Sequence, residues 1–119
     1  MSQAKHKVVF QMNTDNITEQ NALVTYVTNV KKHWGEDVCI HVVVHGPGIE
    51  LVSEKKTMLK EGVRTLMEKG IHFIACENTM ASRQINKKDI FSSVEFTVSG
   101  VVYIIEKQEE GWAYIKCNL

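Results

Sequence analysis

Residues 38–48 read VCIHVVVHGPG: six of the first eight are apolar and five are β-branched, and the run then breaks at a Gly-Pro-Gly turn. A strand that is apolar on both faces must be covered on both faces, which is the situation of a parallel sheet with helices on each side. Working outward, both neighbours of this strand carry helical periodicity. Upstream, Leu23, Tyr26, Val27, Val30 and Trp34 recur at helical intervals; Asn16 and Glu19 have capping-box spacing at one end, and Gly35 stops the helix at the other. Before that helix, residues 7–12 (KVVFQM) form a short apolar run that ends in the polar Asn13-Thr14-Asp15-Asn16, a first strand and its turn.

Downstream of the Gly-Pro-Gly turn, Ser53 can cap a second helix with Met58, Leu59, Val63, Leu66 and Met67 as its apolar stripe and Gly70 as its stop. A third strand follows at 71–76 (IHFIAC), then a short helix from Asn78 to about Asn86 with Asn78 or Thr79 at its cap, a connection to residue 93, and a fourth strand at 94–98. Residues 101–105 (VVYII) fit strand by propensity and helix by spacing. Ser99 as a cap, the polar stretch 106–110 and Gly111 as a stop decide for helix. A short last strand lies at 113–117. This alternation predicts one domain, a three-layer α/β/α sandwich with a five-stranded, mostly parallel sheet.

Composition narrows the function. The chain has 119 residues, 44% hydrophobic and 24% charged, which is enough for one core without staples. Lys plus Arg equals Asp plus Glu at 14 each, and the Lys-Lys pairs at 31–32, 55–56 and 87–88 are scattered, so no nucleic-acid partner is expected. The apolar run in MSQAKHKVVFQM is too short for a signal-peptide core and no later run approaches a membrane span, so a cytoplasmic protein without membrane contact is expected. Three cysteines without a Cys-x-x-Cys pair argue against a disulfide framework or a zinc ribbon. Cys39, His41 and His45 share one face of a strand, but residues four apart are separated by about 13 Å, too far to share one ion, so no metal site is expected. Cys39 and His41 read as core. The Gly-Pro-Gly turn lacks the third glycine or the Gly-Lys-Ser/Thr of a nucleotide loop, so no cofactor is expected either.

In a parallel sheet the strand carboxyl ends gather on one rim, where ligands bind. Here that rim collects Asn13, His45, Gly46, Cys76, Asn78, Thr79, Ser99 and Gly100. A cysteine before a helix start can be activated because unpaired backbone NH groups favour the thiolate. Arg83, farther along the same helix, could assist an anion, and Glu77 beside the thiol would oppose ionisation. Cys76 reads either as a nucleophile or as a small apolar residue ending a buried strand. His45 reads as a base, an anion donor or a cap on the strand backbone.

The segments HGPGIELV, FIACENTM and VEFTVSGVVYIIEKQEEGWAYIK resemble the DsrE/DsrF-like proteins, which are associated with intracellular sulfur oxidation and sulfur relay, and in particular their small single-domain YchN-like branch. The resemblance implies a DsrE-like fold with a five-stranded parallel sheet and homo-oligomers, often trimers or hexamers. It implies a persulfide on the cysteine that matches, Cys76, in a Cys-x-Asn-Thr pattern with Asn78 and Thr79, and protein partners that donate or accept sulfur. His45-Gly46 and Ser99-Gly100 match its His-Gly and Ser-Gly pairs. Two other readings stand beside the sulfur carrier: a non-catalytic oligomeric module that binds a small anion or metabolite, and a scaffold whose rim is a subunit contact.

Overall fold

The computed structural model describes residues 4–117; residues 1–3 of the N-terminal reading and the last two residues lie outside the described range. Five strands, β1 (His6–Met12), β2 (Val38–Val44), β3 (His72–Cys76), β4 (Glu95–Thr97) and β5 (Ala113–Lys116), form one sheet in the order β4-β3-β2-β1-β5. Every pairing is parallel, so the sheet is parallel throughout rather than mostly so. The helices are α1 (Ile17–Trp34), α2 (Lys60–Glu68), α3 (Glu77–Ser82) and α4 (Gly100–Glu109).

The alternation of side chains along each strand divides the interior into two unequal cores. Val8, Phe10 and Met12 of β1, Ile40, Val42 and Val44 of β2, and Phe73 and Ala75 of β3 pack with Leu23 and Val27 of α1 and Val63 and Leu66 of α2. Phe10 and Phe73 are fully buried there, and truncating either to alanine would cost about 3–5 kcal/mol. The opposite face holds a smaller core, Val9, Val43 and Ile74 beneath Ile104 of α4, flanked by Tyr103 and Trp112. The three layers are therefore α1 and α2, the sheet, and α4 alone.

Most element boundaries follow their local signals. The Asn16 side chain accepts from the Glu19 NH at 3.0 Å to start α1, and Gly35 ends it at φ 57°. Ser99 accepts from the Val102 NH at 3.3 Å to start α4, which makes residues 101–105 helical as the spacing indicated.

The second helix departs from its sequence reading. The chain winds as a 3₁₀ segment over Gly46–Val52, burying Ile49, Leu51 and Val52, and this carries Ser53 into an antiparallel bridge with Ile90. Ser53 therefore closes a turn, accepting from the Lys56 NH at 3.3 Å, and does not cap α2. That helix starts at Lys60 without a side-chain cap, and Met58, placed in its stripe from sequence, is 80% exposed before it. In α1, Tyr26 and Trp34 also lie largely exposed, the latter stacked on His6 at 3.8 Å between ring centroids. Cys39 and His41 are not core residues: both are half-buried on the α4 face, and His41 Nδ1 lies 2.6 Å from the Tyr103 hydroxyl.

Candidate functional site

Gly46 and Gly48 set the shape of the rim beyond β2. Gly46 takes φ 53°, and a Cβ on Gly48 would lie 2.2 Å from the Met12 carbonyl oxygen, so only glycine lets the turn pass against the end of β1. The His45 NH donates to that same Met12 oxygen at 3.2 Å, tying the turn to β1.

β2 and β3 are neighbours with Val44 opposite Ala75, so the next residues, His45 and Cys76, continue the register side by side. Gly100, the first residue of α4, sits over both: a Cβ there would lie 3.3 Å from the His45 Cβ and 3.4 Å from the Cys76 Cβ. The nearest atom would be the Val43 Cγ1 at 3.1 Å, so even an alanine would need its neighbours to give by a few tenths of an ångström.

Cys76 itself caps α3, and Asn78 and Thr79, the expected caps, lie inside the helix. Its Sγ accepts from the Thr79 NH at 3.4 Å, and as a thiol it can donate to the Val98 oxygen at 3.8 Å. Cys76 is 5% exposed, and burial alone would push the thiol pKa up. The opposing hydrogen bonds win: the Thr79 hydroxyl and the NH groups of Gly100, Thr79 and Asn78 bring the thiol below its ordinary value. The Asn78 NH, which donates to the Val98 oxygen at 3.0 Å, contributes least. Thr79 Oγ1 accepts from the Gly46 NH at 2.9 Å, which leaves its own hydrogen for the sulfur. The starts of two helices thus meet at one thiol.

His45 stays below the ordinary histidine value because of burial and then the charge of Lys116. It is neutral at pH 7, and its Nε2 lies 2.7 Å from Gln11 Nε2. Gln11 Oε1 in turn accepts from the Tyr114 hydroxyl.

The sequence-derived rim therefore separates into parts. Cys76, Thr79, His45, Gly46 and Gly100 come together. Asn78 joins through its backbone, Asn13 brings its main chain beneath Gly46, and Ser99 acts as the cap that aims α4. Arg83 does not join them. It lies at the far end of α3 from Cys76, pairs with Glu50 at 4.0 Å, and lines a separate cleft of about 380 Å³ with Lys55 and Lys56. Glu77 is drawn to Lys87 at 2.8 Å, an ion pair at the start of α3. Gln11, Tyr114 and Lys116 were missed in the sequence; a lone amide in the otherwise apolar VVFQM run was the available signal. Among the described residues no group of three or more His, Cys, Asp or Glu side chains could hold a metal ion.

A model of the DsrE/DsrF-like family matches residues 6–117. The chain belongs to the DsrE/DsrF-like family. That family is associated with sulfur relay, and the match spans every element described above. The fold is similar to that of MTH1491, a protein of unknown function from Methanobacterium thermoautotrophicum, with a TM-score of 0.89 and 29% identity over 94% of this chain and 99% of that one. BT1422 from Bacteroides thetaiotaomicron, a conserved protein of unknown function, aligns with a TM-score of 0.75 and 20% identity over 98% and 97% of the two chains. The ychN protein of E. coli shares the fold at a TM-score of 0.78 and 8% identity, over 93% and 98%. No curated protein matches the chain. Among the described residues no helix is long and apolar enough to cross a membrane.

Proposed function

We propose that this member of the family is a sulfur carrier and that Cys76 holds the sulfur as a persulfide. The observation that carries the reading is the set of donors on Cys76 Sγ, which lowers the thiol pKa although burial works against ionisation. In the first step the Cys76 thiolate attacks the terminal sulfur of a donor persulfide. A new S–S bond forms at Cys76, the donor's S–S bond breaks, and the donor leaves as a thiolate. An acceptor thiolate then attacks the terminal sulfur and Cys76 leaves as the thiolate. Each transfer exchanges one S–S bond for another, so no outside oxidant or reductant is needed, and a better-stabilised thiolate is the better leaving group.

Alkylation rate against pH, followed at each cysteine by peptide mass, tests the activation. Cys76 is expected to titrate below the ordinary thiol value, and buried Cys117 up at about 11. A Cys76 midpoint at or above the ordinary value of 9.0 would leave the second reading, a module that binds a small anion at the same donors without using the thiol.

The carrier is proposed to be a cytoplasmic homo-oligomer, a trimer or hexamer, that exchanges sulfur with donor and acceptor proteins. Val101, Val102 and Ile105 of α4 are each about half exposed, with Val98 68% exposed beside them, and a second copy would cover this apolar surface. Light scattering on Val102→Glu, expected to lower the subunit number, checks this; a wild-type monomer would refute it.

A further inference from the structure

The side chains at the ends of β1, β2 and β5 extend the Cys76 rim in a direction that the sulfur chemistry alone does not require. Gln11 pairs in register with Val43 of β2 on one side and Lys116 of β5 on the other. Tyr114 pairs with Val9, so Gln11, Tyr114, Lys116 and His45 all point to the α4 side of the sheet. The polar atoms there form a chain. The Tyr114 hydroxyl donates to Gln11 Oε1, and Gln11 Nε2 donates to His45 Nε2 at 2.7 Å.

This direction of donation gives the phenol, a strong donor, to the amide oxygen, and gives the amide NH to the imidazole nitrogen, the most basic acceptor of the three. Reversing the amide would make the weakly basic phenol oxygen accept instead. An imidazole that accepts at Nε2 and is neutral carries its proton on Nδ1. His45 Nδ1 has no hydrogen-bond partner among the described residues, and His45 stands beside Cys76 under Gly100. Lys116 adds a positive charge near His45 and has no ion pair among the described residues.

We propose that the His45 Nδ1–H is an anion donor of the Cys76 rim, with Gln11 and Tyr114 as the positioning residues that fix its tautomer and Lys116 as the accompanying cation. The ligand it serves is a small anion approaching Cys76. Only the identity of that anion, a persulfide or thiolate, rests on the carrier reading. The role of His45 is thereby narrowed: with its one ring lone pair accepting at Nε2, it does not serve as the base that deprotonates Cys76.

Two measurements test this on the intact protein. The first is the ring ¹⁵N and ¹³C spectrum of histidine-labelled protein at pH 7.5, with His45 assigned among the five histidines by its loss in His45→Gln. The Nδ1–H tautomer is expected, and Gln11→Glu, whose carboxylate can only accept, should convert it to Nε2–H. An Nε2–H tautomer in the wild type, or no change in Gln11→Glu, overturns the proposal.

The second compares the rates at which Cys76 reacts with anionic iodoacetate and neutral iodoacetamide. Gln11→Leu should slow iodoacetate by about tenfold or more relative to iodoacetamide, the value of one charge-assisted hydrogen bond lost from the encounter. An unchanged ratio overturns the proposal, because a merely structural loss would slow both reagents alike. Failure of the carrier reading looks different: Cys76 would then take up no sulfur while the tautomer and the rate ratio stayed as expected.

Discussion

Replacing Thr79 by valine keeps the shape of the side chain and removes one oxygen that serves two partners. Thr79 Oγ1 accepts from the Gly46 NH at 2.9 Å and hydrogen-bonds to the Cys76 sulfur when it is charged. A hydrogen bond to a charged group contributes about 1.5–3 kcal/mol, so losing it should raise the Cys76 midpoint. The half-buried Gly46 NH loses its acceptor at the same time, which costs about 1 kcal/mol of stability. Iodoacetamide rates across pH, read at Cys76 by peptide mass, give the first number, and urea unfolding gives the second. Thr79→Ser keeps the hydroxyl and should restore most of both. A folded Thr79→Val protein whose Cys76 midpoint equals that of the wild type would refute the claim that this hydroxyl holds the thiolate.

Acid should loosen α4 through His41, whose pKa is lowered to about 4 by burial first and by the His72 and Lys107 charges after it. The fold binds the neutral ring, whereas the unfolded chain takes up a proton at about 6.5. The contribution of His41 is therefore complete above pH 6.5 and is lost as pH falls from there towards 4. Discounted for partial exposure, the loss is about 2–3 kcal/mol, and urea titrations should show it shrinking in His41→Gln. A second prediction concerns Gly48, where an added Cβ would meet the Met12 carbonyl at 2.2 Å and 2.6 Å and the Asn13 Cα at 2.9 Å, all backbone atoms. Gly48→Ala should cost more than about 3 kcal/mol in denaturant unfolding, and a near-neutral result would mean that the β1 and β2 ends are free to separate.

How much of this was legible depends on whether the signal was local. The α1 cap at Asn16 and the helical reading of residues 101–105 from Ser99 and Gly111 rest on residues close in sequence and appear in the structure, and β2 is buried on both faces only towards its carboxyl end, at Val42, Val43 and Val44. Ser53 shows the opposite case. Its hydroxyl fits a cap, but the apolar Ile49, Leu51 and Val52 pull the chain into the core and commit Ser53 to Ile90, a partner far along the chain.

The site divides the same way. That Cys76, His45 and Gly100 share a rim follows from their positions at strand ends and a helix start. That Cys76 rather than Asn78 or Thr79 caps α3 depends on where the backbone turns out of β3. Arg83 was placed near the thiol because it shares a helix with it, yet that short helix carries it away to Glu50. Gln11 and Tyr114 come from the two strands most distant in sequence, and only the placement of β5 beside β1 brings them together.

The most direct test of Cys76 as the sulfur carrier is intact-mass analysis after incubation with a low-molecular-weight persulfide donor, with peptide mapping and Cys76→Ser as the control. The wild type is expected to gain one sulfur atom at Cys76, to lose it to an added acceptor thiol, and to gain none in the variant. No adduct, or equal adducts on Cys39 and Cys117, would contradict the account.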